Sequence, residues 1–484
     1  MTARVSETTH VTRDAWLVFL LAFFARCGAC FWGFDRVPPT ADGAFYHVVA
    51  QRIAAGEGYT WLWPDGAITY AAHYPVGYPA MMAPIYWLFG PHPGWVMLEN
   101  AVVGALGVWA AHQLCVRLLG ALNLAHSRRS ALFSGLLLAL SPTLILYTPA
   151  LMTEVCVGAV VTGATLLTVQ LRDRWSSVSK GKRVLGLVGL AGLIAFSCYL
   201  RPQTILLAVV LGALLKSSWL QRFKYGLLLT GMSLLLVAPW TVRNCERMDS
   251  CVFVSANGGW NLLIGTYPDG HGAWIGIDGE RVPPECREVF SESGKDECFG
   301  QAGKRRVLAA PLAWLSLVPQ KLRATLDHSA AGAEHLRASG AIDDEAKWKL
   351  QVAEYTWQRF FSVFVLVGVA GVMGSTLPSW LRILGVVVGL LGFLGAGAWF
   401  AWLVVLVLVV CNPSFLVRPA VGAGAGVIAS TLAVHAVFFG AGRYSIPMWY
   451  AAAPLVAVGF SEVSSLHGRV ARRLPGLWGR RTPP

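Results

Sequence analysis

A small set of charges carries most of the chemical potential of this chain: Asp42, Glu154, Arg201 in "YLRPQ", Arg243 in "APWTVRN" and Arg443 in "GAGRYSIP". A carboxylate can accept a proton from an incoming hydroxyl, and a guanidinium can donate two parallel hydrogen bonds to a phosphate. Acids beside such arginines suit transfer of a group away from a phosphate, with the acid as base and the arginines stabilising the departing anion. Taken singly, each arginine reads first as a lipid-headgroup contact or a structural ion pair. Three of them at helix ends, with two acids, point to an anionic ligand.

A second set could hold a sugar. Tyr46, Tyr74 and Tyr78 read first as interface anchors, although their aromatic faces also suit sugar rings. His73 reads first as a histidine hydrogen-bonded within its turn, with substrate contact as the alternative. In "NGGWN" the glycines let the backbone approach a ligand while Asn257, Trp260 and Asn261 bond or stack on it; a tight turn is the competing reading. Tyr444, next to Arg443, joins the candidate substrate contacts. No Walker A pattern is present, and the glycines within apolar runs have no strand before them, so no soluble nucleotide is implied.

These residues are separated by long apolar runs. Of the 484 residues 55% are hydrophobic and 13% charged, the composition of an integral membrane protein. The net charge of +13 comes in short basic clusters between those runs, which argues against nucleic-acid binding. Runs long enough to cross a bilayer lie at Ala15–Gly33, Trp95–Leu119, Ala131–Tyr147, Leu151–Leu171, Val184–Leu200, Thr204–Leu215, Tyr225–Val242, Phe360–Leu377, Ala420–Gly440 and Ser445–Phe460. Ile383–Cys411, broken at Gly395–Gly397, reads as two helices. The expectation is an all-α polytopic membrane protein with about 12 transmembrane helices, between roughly 11 and 13, and loop helices on its outer face.

Arg26 interrupts the first run and no convincing cleavage site follows, so it reads as a retained signal-anchor rather than a cleaved signal. Arg117, Arg128 and Arg129, then Arg172, Arg174, Lys180, Lys182 and Arg183, then Lys216, Arg222 and Lys224 all fall on one side if the N-terminus is cytoplasmic. An even number of crossings brings the basic tail "HGRVARRLPGLWGRR" to the same side. The localisation expected is a bacterial inner membrane with both termini cytoplasmic. Two large segments then lie outside, and Asp42, Glu154 and the three arginines face the outer side.

The resulting organisation is a transmembrane catalytic module over 1–242 with an outer loop at 34–94, an outer region at 243–357, C-terminal transmembrane helices at 358–463 and a basic cytoplasmic tail at 464–484. Asp42 opens a loop helix whose apolar Phe45, Val48, Val49 and Ile53 suggest one face on the membrane. The stretch "AAPLAWLSLVPQKLRATLDHSA" has the spacing of a surface helix. Four of the ten cysteines lie in the outer region. An even set outside the cytoplasm suggests two disulfides; spacing does not fix connectivity, and the shorter closures, Cys245–Cys251 and Cys286–Cys298, are expected. Cys27 and Cys30 form a C-x-x-C within an apolar helix and read as packing.

"ADGAFYHVVAQRIAAGEGYTW" followed by "HYPVGYPAMMAPIYWLFG" resembles the first outer loop of GT-C glycosyltransferases of the protein O-mannosyltransferase and lipid A aminoarabinose transferase type. "LMTE", "LRP", "APWTVRN", "VSANGGWNLLIGTYPDG" and "GRYSIP" resemble the same group in the expected order. The resemblance spans nearly the whole chain and is weakest between Glu280 and Leu416. It implies an inverting transfer of a sugar from a polyprenyl-phosphate donor to an acceptor on the outer side, the acceptor being protein, lipid or glycan. Asp42 matches the catalytic loop aspartate. Gly43 stands where many relatives have a second acid, which weakens a metal site in the loop: a divalent metal is possible, no cofactor is certain, and Asp42 with His47 or His73 is a thin ligand set. The partners implied are the lipid-linked sugar, its acceptor and membrane lipids, with no nucleic acid.

The alternatives are a transporter or flippase of a glycolipid or anionic solute, which calls for polar groups near mid-membrane and matching broken halves, and a non-catalytic protein that binds sugar-lipids. The charge asymmetry of the loops gives a direct test. A reporter active only outside the cytoplasm should be active when fused within residues 243–357 and silent when fused after Arg174; the reverse pattern would invert the topology.

Overall fold

A computed structural model describes residues 2–124, 126–327, 330–372, 378–395 and 397–473. It is almost entirely helical. In chain order the helices are α1 (Thr2–Gly33), α2 (Asp42–Ala54), α3 (Gly77–Phe89), α4 (Pro93–Leu122), α5 (Ser127–Ala139), α6 (Pro142–Leu146), α7 (Glu154–Asp173), α8 (Lys180–Leu200), α9 (Leu206–Leu214), α10 (Trp219–Arg247), α11 (Gly258–Ile264), α12 (Glu292–Ala309), α13 (Pro311–Ser316), α14 (Val318–Leu326), α15 (Ala331–Ala338), α16 (Asp344–Val372), α17 (Ser379–Gly395), α18 (Ala398–Val410), α19 (Pro413–Leu416), α20 (Pro419–Val437) and α21 (Ile446–Arg473). The one sheet among the described residues is a hairpin of β1 (Thr60–Leu62) and β2 (Ile68–Tyr70), antiparallel, with Thr60 opposite Tyr70.

Among the described residues, eight helices are long and apolar enough to cross a membrane. Three shorter apolar helices, Pro202–Leu214, Ile383–Gly392 and Ala398–Val410, accompany them. The count of twelve is therefore not reproduced by length alone. The expected span at Thr204–Leu215 is a 3-10 turn, Pro202–Ile205, running into the nine-residue α9. At 1.5 Å per residue such a helix falls well short of the roughly 30 Å hydrocarbon layer. Its last carbonyl meets a side chain instead of water: Arg172 Nη1 donates to Leu214 O at 2.9 Å, and also to Val417 O, beyond α19, at 2.8 Å. Ile383–Cys411 does divide into two helices, α17 and α18. The last residues of the expected span at Phe360–Leu377 and most of the basic tail lie outside the described residues.

The helix α21 lies at the centre, packed on α4, α5, α7, α16 and α20. In a bilayer, helices associate by close packing rather than by removal of apolar surface from water, and small residues let them approach. Gly368 of α16 and Gly459 of α21 do this reciprocally: a Cβ on Gly368 would stand 2.1 Å from Leu455 O, and one on Gly459 2.1 Å from Phe364 O. On the face that carries the basic loops, Arg128 holds α1 to α5 with two hydrogen bonds to Asp14, at 2.6 and 2.9 Å. Cys27 and Cys30 are unbridged and buried, the Cys30 thiol donating to Met97 O at 3.1 Å.

The opposite face, called here the loop face, carries a layer built from α2, α3, the hairpin and α11–α15. Segments 34–92 and 248–343 interlock in it. Glu292 accepts from the Ala72 N–H at 2.6 Å and the His73 N–H at 2.9 Å, and Ala256 N–H donates to Ala72 O at 2.7 Å. Disulfides join Cys245 to Cys251 and Cys286 to Cys298. The second is part of a small apolar cluster with Leu263, Phe299 and Ala302, on which Trp260 rests. Closing a loop of about this length stabilises a fold by roughly 3 kcal/mol. Non-reducing peptide mapping of the membrane-inserted protein should recover these two cross-linked pairs; four alkylatable thiols would contradict the pairing.

Candidate functional site

Four charged side chains from four parts of the chain converge at the loop face. Glu154 is the first residue of α7, the helix end whose peptide dipoles favour a negative charge. Arg201 follows the last residue of α8, where the dipoles favour a cation. Pro202 disfavours helical backbone in the residue before it, and Arg201 is extended at φ −150°, ψ 111°. Arg443 sits in the 3-10 turn Gly442–Ser445 that leads into α21. A cation gains nothing from that helix end, so nearby acids must hold it. Asp42 opens α2 behind Ala41, whose φ of 51° is a left-handed conformation costly for a residue with a Cβ.

Glu154 is the hub. Its Oε1 pairs with Arg201 Nη2 and lies 3.5 Å from Arg443 Nε, and its Oε2 accepts from the Tyr147 hydroxyl at 3.2 Å. Arg443 Nη2 reaches on to Asp42 Oδ2 at 2.9 Å, and the Tyr74 hydroxyl donates to Asp42 Oδ1 at 2.8 Å. Arg201 Nε donates to Thr153 Oγ1 at 3.1 Å, and its guanidinium lies 4.7 Å from the centre of the Tyr444 ring. Arg443 also donates to the Tyr444 hydroxyl at 3.3 Å. Burial by itself would raise the Asp42 pKa. The charge of Arg443, the Tyr74 hydrogen bond and the charge of Arg201 outweigh it, and the carboxyl is held below its ordinary range. Asp42 is therefore an anion at neutral pH.

A cavity of about 170 Å³ opens over this network, far more than the roughly 10–15 Å³ that holds one water. Asp42, Tyr46, His73, Tyr74, Arg201, Asn257, Trp260, Asn261, Arg443 and Tyr444 all line it. The structure thus brings together ten of the residues singled out in the sequence. A narrower apolar recess, about 40 Å³, shares Arg201, Gln203, His435 and Tyr444 with it and continues between α7, α9 and α20 along Val157, Val161, Leu207 and Val427.

Two expectations are corrected. Glu154 does not face the aqueous side: its side chain is 1% exposed, behind the two guanidiniums, and it does not line the cavity. It positions the arginines. Arg243 does not line the cavity either. Its Nη1 donates to Ala71 O at 2.8 Å and its Nη2 to Tyr59 O at 2.9 Å, and its guanidinium lies 4.8 Å from the Trp240 ring. Those contacts tie α10 to the hairpin loop, which fixes the approach of His73 and Tyr74 from behind.

"NGGWN" is both turn and wall. Asp296 of α12 accepts from the Trp260 N–H at 2.9 Å at the start of α11. A Cβ on Gly259 would stand 1.8 Å from Asp296 O, so only glycine allows α11 and α12 to meet this closely. His73 lies edge-on to Trp260 at 5.6 Å. Burial lowers its pKa, with Asp42 and the Ala256 backbone acting the other way. Gly43 also has a local reason: a Cβ there would stand 3.0 Å from Leu151 O, where α2 docks on the segment leading to Glu154.

Several participants were missed. Tyr147 and Thr153 are polar neighbours of the hub that look like ordinary residues of an apolar run. His435 lines the cavity from α20, stacked on Tyr444 at 4.2 Å with Nδ1 2.7 Å from Phe439 O. A histidine within an apolar run was the available signal. Among the described residues no three His, Cys, Asp and Glu side chains converge as metal ligands. Asp42 is the one carboxylate on the cavity wall and already has Tyr74 and Arg443, so these donors do not complete a metal site.

No family model matches this sequence, and no curated protein matches it. By structure the chain matches the apo oligosaccharyltransferase of Archaeoglobus fulgidus with a TM-score of 0.50 at 12% identity, covering 96% of this chain and 52% of that one. The archaeal oligosaccharyltransferase AglB from Archaeoglobus fulgidus, in complex with an inhibitory peptide and a dolichol-phosphate, matches with a TM-score of 0.47 at 11% identity over 97% of this chain and 52% of that one. ArnT from Cupriavidus metallidurans bound to undecaprenyl phosphate matches with a TM-score of 0.36 at 15% identity over 98% and 82%. This chain spans about half the length of the oligosaccharyltransferase. What the first match shows is a shared fold, an all-α membrane architecture.

Proposed function

We propose that this protein is an integral-membrane glycosyltransferase that moves a sugar from a polyprenyl-phosphate donor to an acceptor on the outer face of a bacterial inner membrane, with inversion at the anomeric carbon. The observation that carries the reading is the convergence of Asp42, Arg201 and Arg443 at the wall of one cavity at the loop face. The loop face is then the outer face, and both termini are cytoplasmic. The shared fold with an oligosaccharyltransferase supports the reading.

In the proposed reaction the donor phosphate is held by the guanidiniums of Arg201 and Arg443, both of which border the cavity, Arg201 bordering the apolar recess beside it as well. That recess suits the first units of the prenyl chain. The sugar lies against Tyr46, His73, Trp260 and the two asparagines. The acceptor hydroxyl attacks the anomeric carbon from the face opposite the phosphate and gives its proton to Asp42. The bond from that carbon to the phosphate oxygen breaks, and the polyprenyl phosphate leaves as an anion against the two arginines. Glu154 holds both guanidiniums at the spacing this needs and touches neither donor nor acceptor.

Loss of the gene should remove one sugar residue from envelope glycans, glycoproteins or lipids, and mass spectrometry would identify sugar and acceptor together. In that background Asp42→Asn keeps volume but removes the proton acceptor, and transfer should fall about 100-fold to 10,000-fold with the protein still inserted. Arg443→Ala should mainly weaken use of the lipid-phosphate donor, with a further loss of turnover from the poorer leaving group. Well-inserted Asp42→Asn protein that transfers at the parental rate would remove Asp42 as the base.

A further inference from the structure

Lys321 of α14 is a cation buried without a carboxylate. It is 0% exposed, and its Nζ donates to Ala436 O at 3.3 Å and to Val437 O at 3.0 Å, in the last turn of α20. The last carbonyls of a helix lack intrahelical donors, and the helix dipole favours a positive charge beside them. The Trp314 ring lies 4.8 Å from the same ammonium. Among the described residues no acid forms an ion pair with it.

The backbone at Lys321 joins three pieces of the candidate site. Gly440 leaves no room for a Cβ against Lys321 O, and Gly272 leaves none against Lys321 N. Gly440 N–H donates to Gly272 O at 2.8 Å, and Ala273 pairs with Gly440 as a single parallel bridge. Trp274 follows that bridge, Phe438 and Phe439 precede it on the other side, and Arg443 lies three residues beyond. All four line the cavity, as does His435 of α20. The helix α14 also packs on the Gly442–Ser445 turn that carries Arg443.

Resting on the donor reading above, we propose that Lys321 is a positioning residue of the phosphate site: its ammonium pins the C-terminal end of α20, and affinity for a polyprenyl phosphate follows its charge. A neutral amine still donates hydrogen bonds but has lost the attraction of the helix end. Residues 434–443 are then less fixed, and a phosphate site that must be ordered on binding holds its ligand more weakly. Burial pushes the Lys321 pKa down to about 8, so the charge is present at neutral pH and is lost as the pH rises through that value. The titratable groups on the elements packed against α14 are His435 of α20, Arg443 and Tyr444 of the turn, and Asp269 and His271 beside Gly272; α13 and α18 have none. Arg323 of α14 and Asp327 just beyond it pair with each other. Ordinary histidines titrate below this window and ordinary tyrosines and arginines above it.

The test is calorimetric titration of the full chain in nanodiscs with farnesyl phosphate, a phosphate monoester whose second proton is lost near about pH 6. Parental affinity should fall about fivefold between about pH 7 and about pH 9.5, and Lys321→Met should show the weaker affinity at both. Hydrogen exchange reads the same hold without a donor. At neutral pH the amides of residues 434–445 should exchange about tenfold faster in Lys321→Met than in the parent, while α4 and α7 exchange alike in both and show the variant folded. A parental affinity that does not change with pH, or Lys321→Met with parental affinity and exchange, would overturn the inference. A parent that binds no farnesyl phosphate, with the exchange difference present, would instead overturn the donor reading on which the inference rests.

Discussion

A carboxylate that is 1% exposed at the membrane end of a bundle has to be neutralised, and the packing of the loop face follows from how Glu154 is. Its two guanidinium partners come from the ends of α8 and α21, and its own place is the start of α7. Removing one member of such a buried set would leave an uncompensated charge, at a cost of about 3–5 kcal/mol. Three helix ends are thereby held at one point. Arg443 extends the constraint to α2 through Asp42, so the loop that carries the proposed base is tied to the bundle by the same charges.

The network also balances. Asp42 and Glu154 carry two negative charges, and Arg201 and Arg443 two positive ones, so the four charges cancel where the surrounding dielectric is low. A donor phosphate arriving at the cavity adds negative charge beside Asp42 and competes with it for Arg443. Movement of that guanidinium toward the phosphate would relieve the depression of the Asp42 pKa and make the carboxylate a better proton acceptor when the donor is in place. In the proposed reaction this would couple donor binding to basicity without a separate switch, while the Tyr74 hydrogen bond keeps Asp42 oriented.

The helices and much of the cavity wall could be read in the sequence because each left a local trace. Apolar runs are broken by few charges, and an arginine or acid at the end of such a run is conspicuous. The division of Ile383–Cys411 followed from its length and its glycines. What was not legible depended on distance through the fold. Arg201 and Arg243 look alike as arginines at helix ends, yet one meets Glu154 and the other two backbone carbonyls of a hairpin loop. Glu154 and Asp42 look alike as acids, and only the packing of Tyr147, Arg201 and Arg443 around the first takes it off the cavity wall. The shortness of α9 was hidden because Arg172, from a different helix, satisfies its last carbonyl. His435 stands out as a histidine within an apolar run, but its link to the site runs through Tyr444, nine residues away across a helix end.

In the proposed reaction Arg201 and Arg443 form a phosphate site beside Asp42. Its most direct test is a cryo-electron microscopy map of the full chain in nanodiscs with a short-chain polyprenyl phosphate added. Phosphate density is expected within about 3 Å of both guanidiniums, with the prenyl chain in the recess between α7, α9 and α20 and the Arg443–Asp42 contact lengthened. Phosphate density elsewhere on the protein, with the Asp42–Arg443–Glu154–Arg201 network unchanged, would contradict it and leave those four residues as a structural clamp.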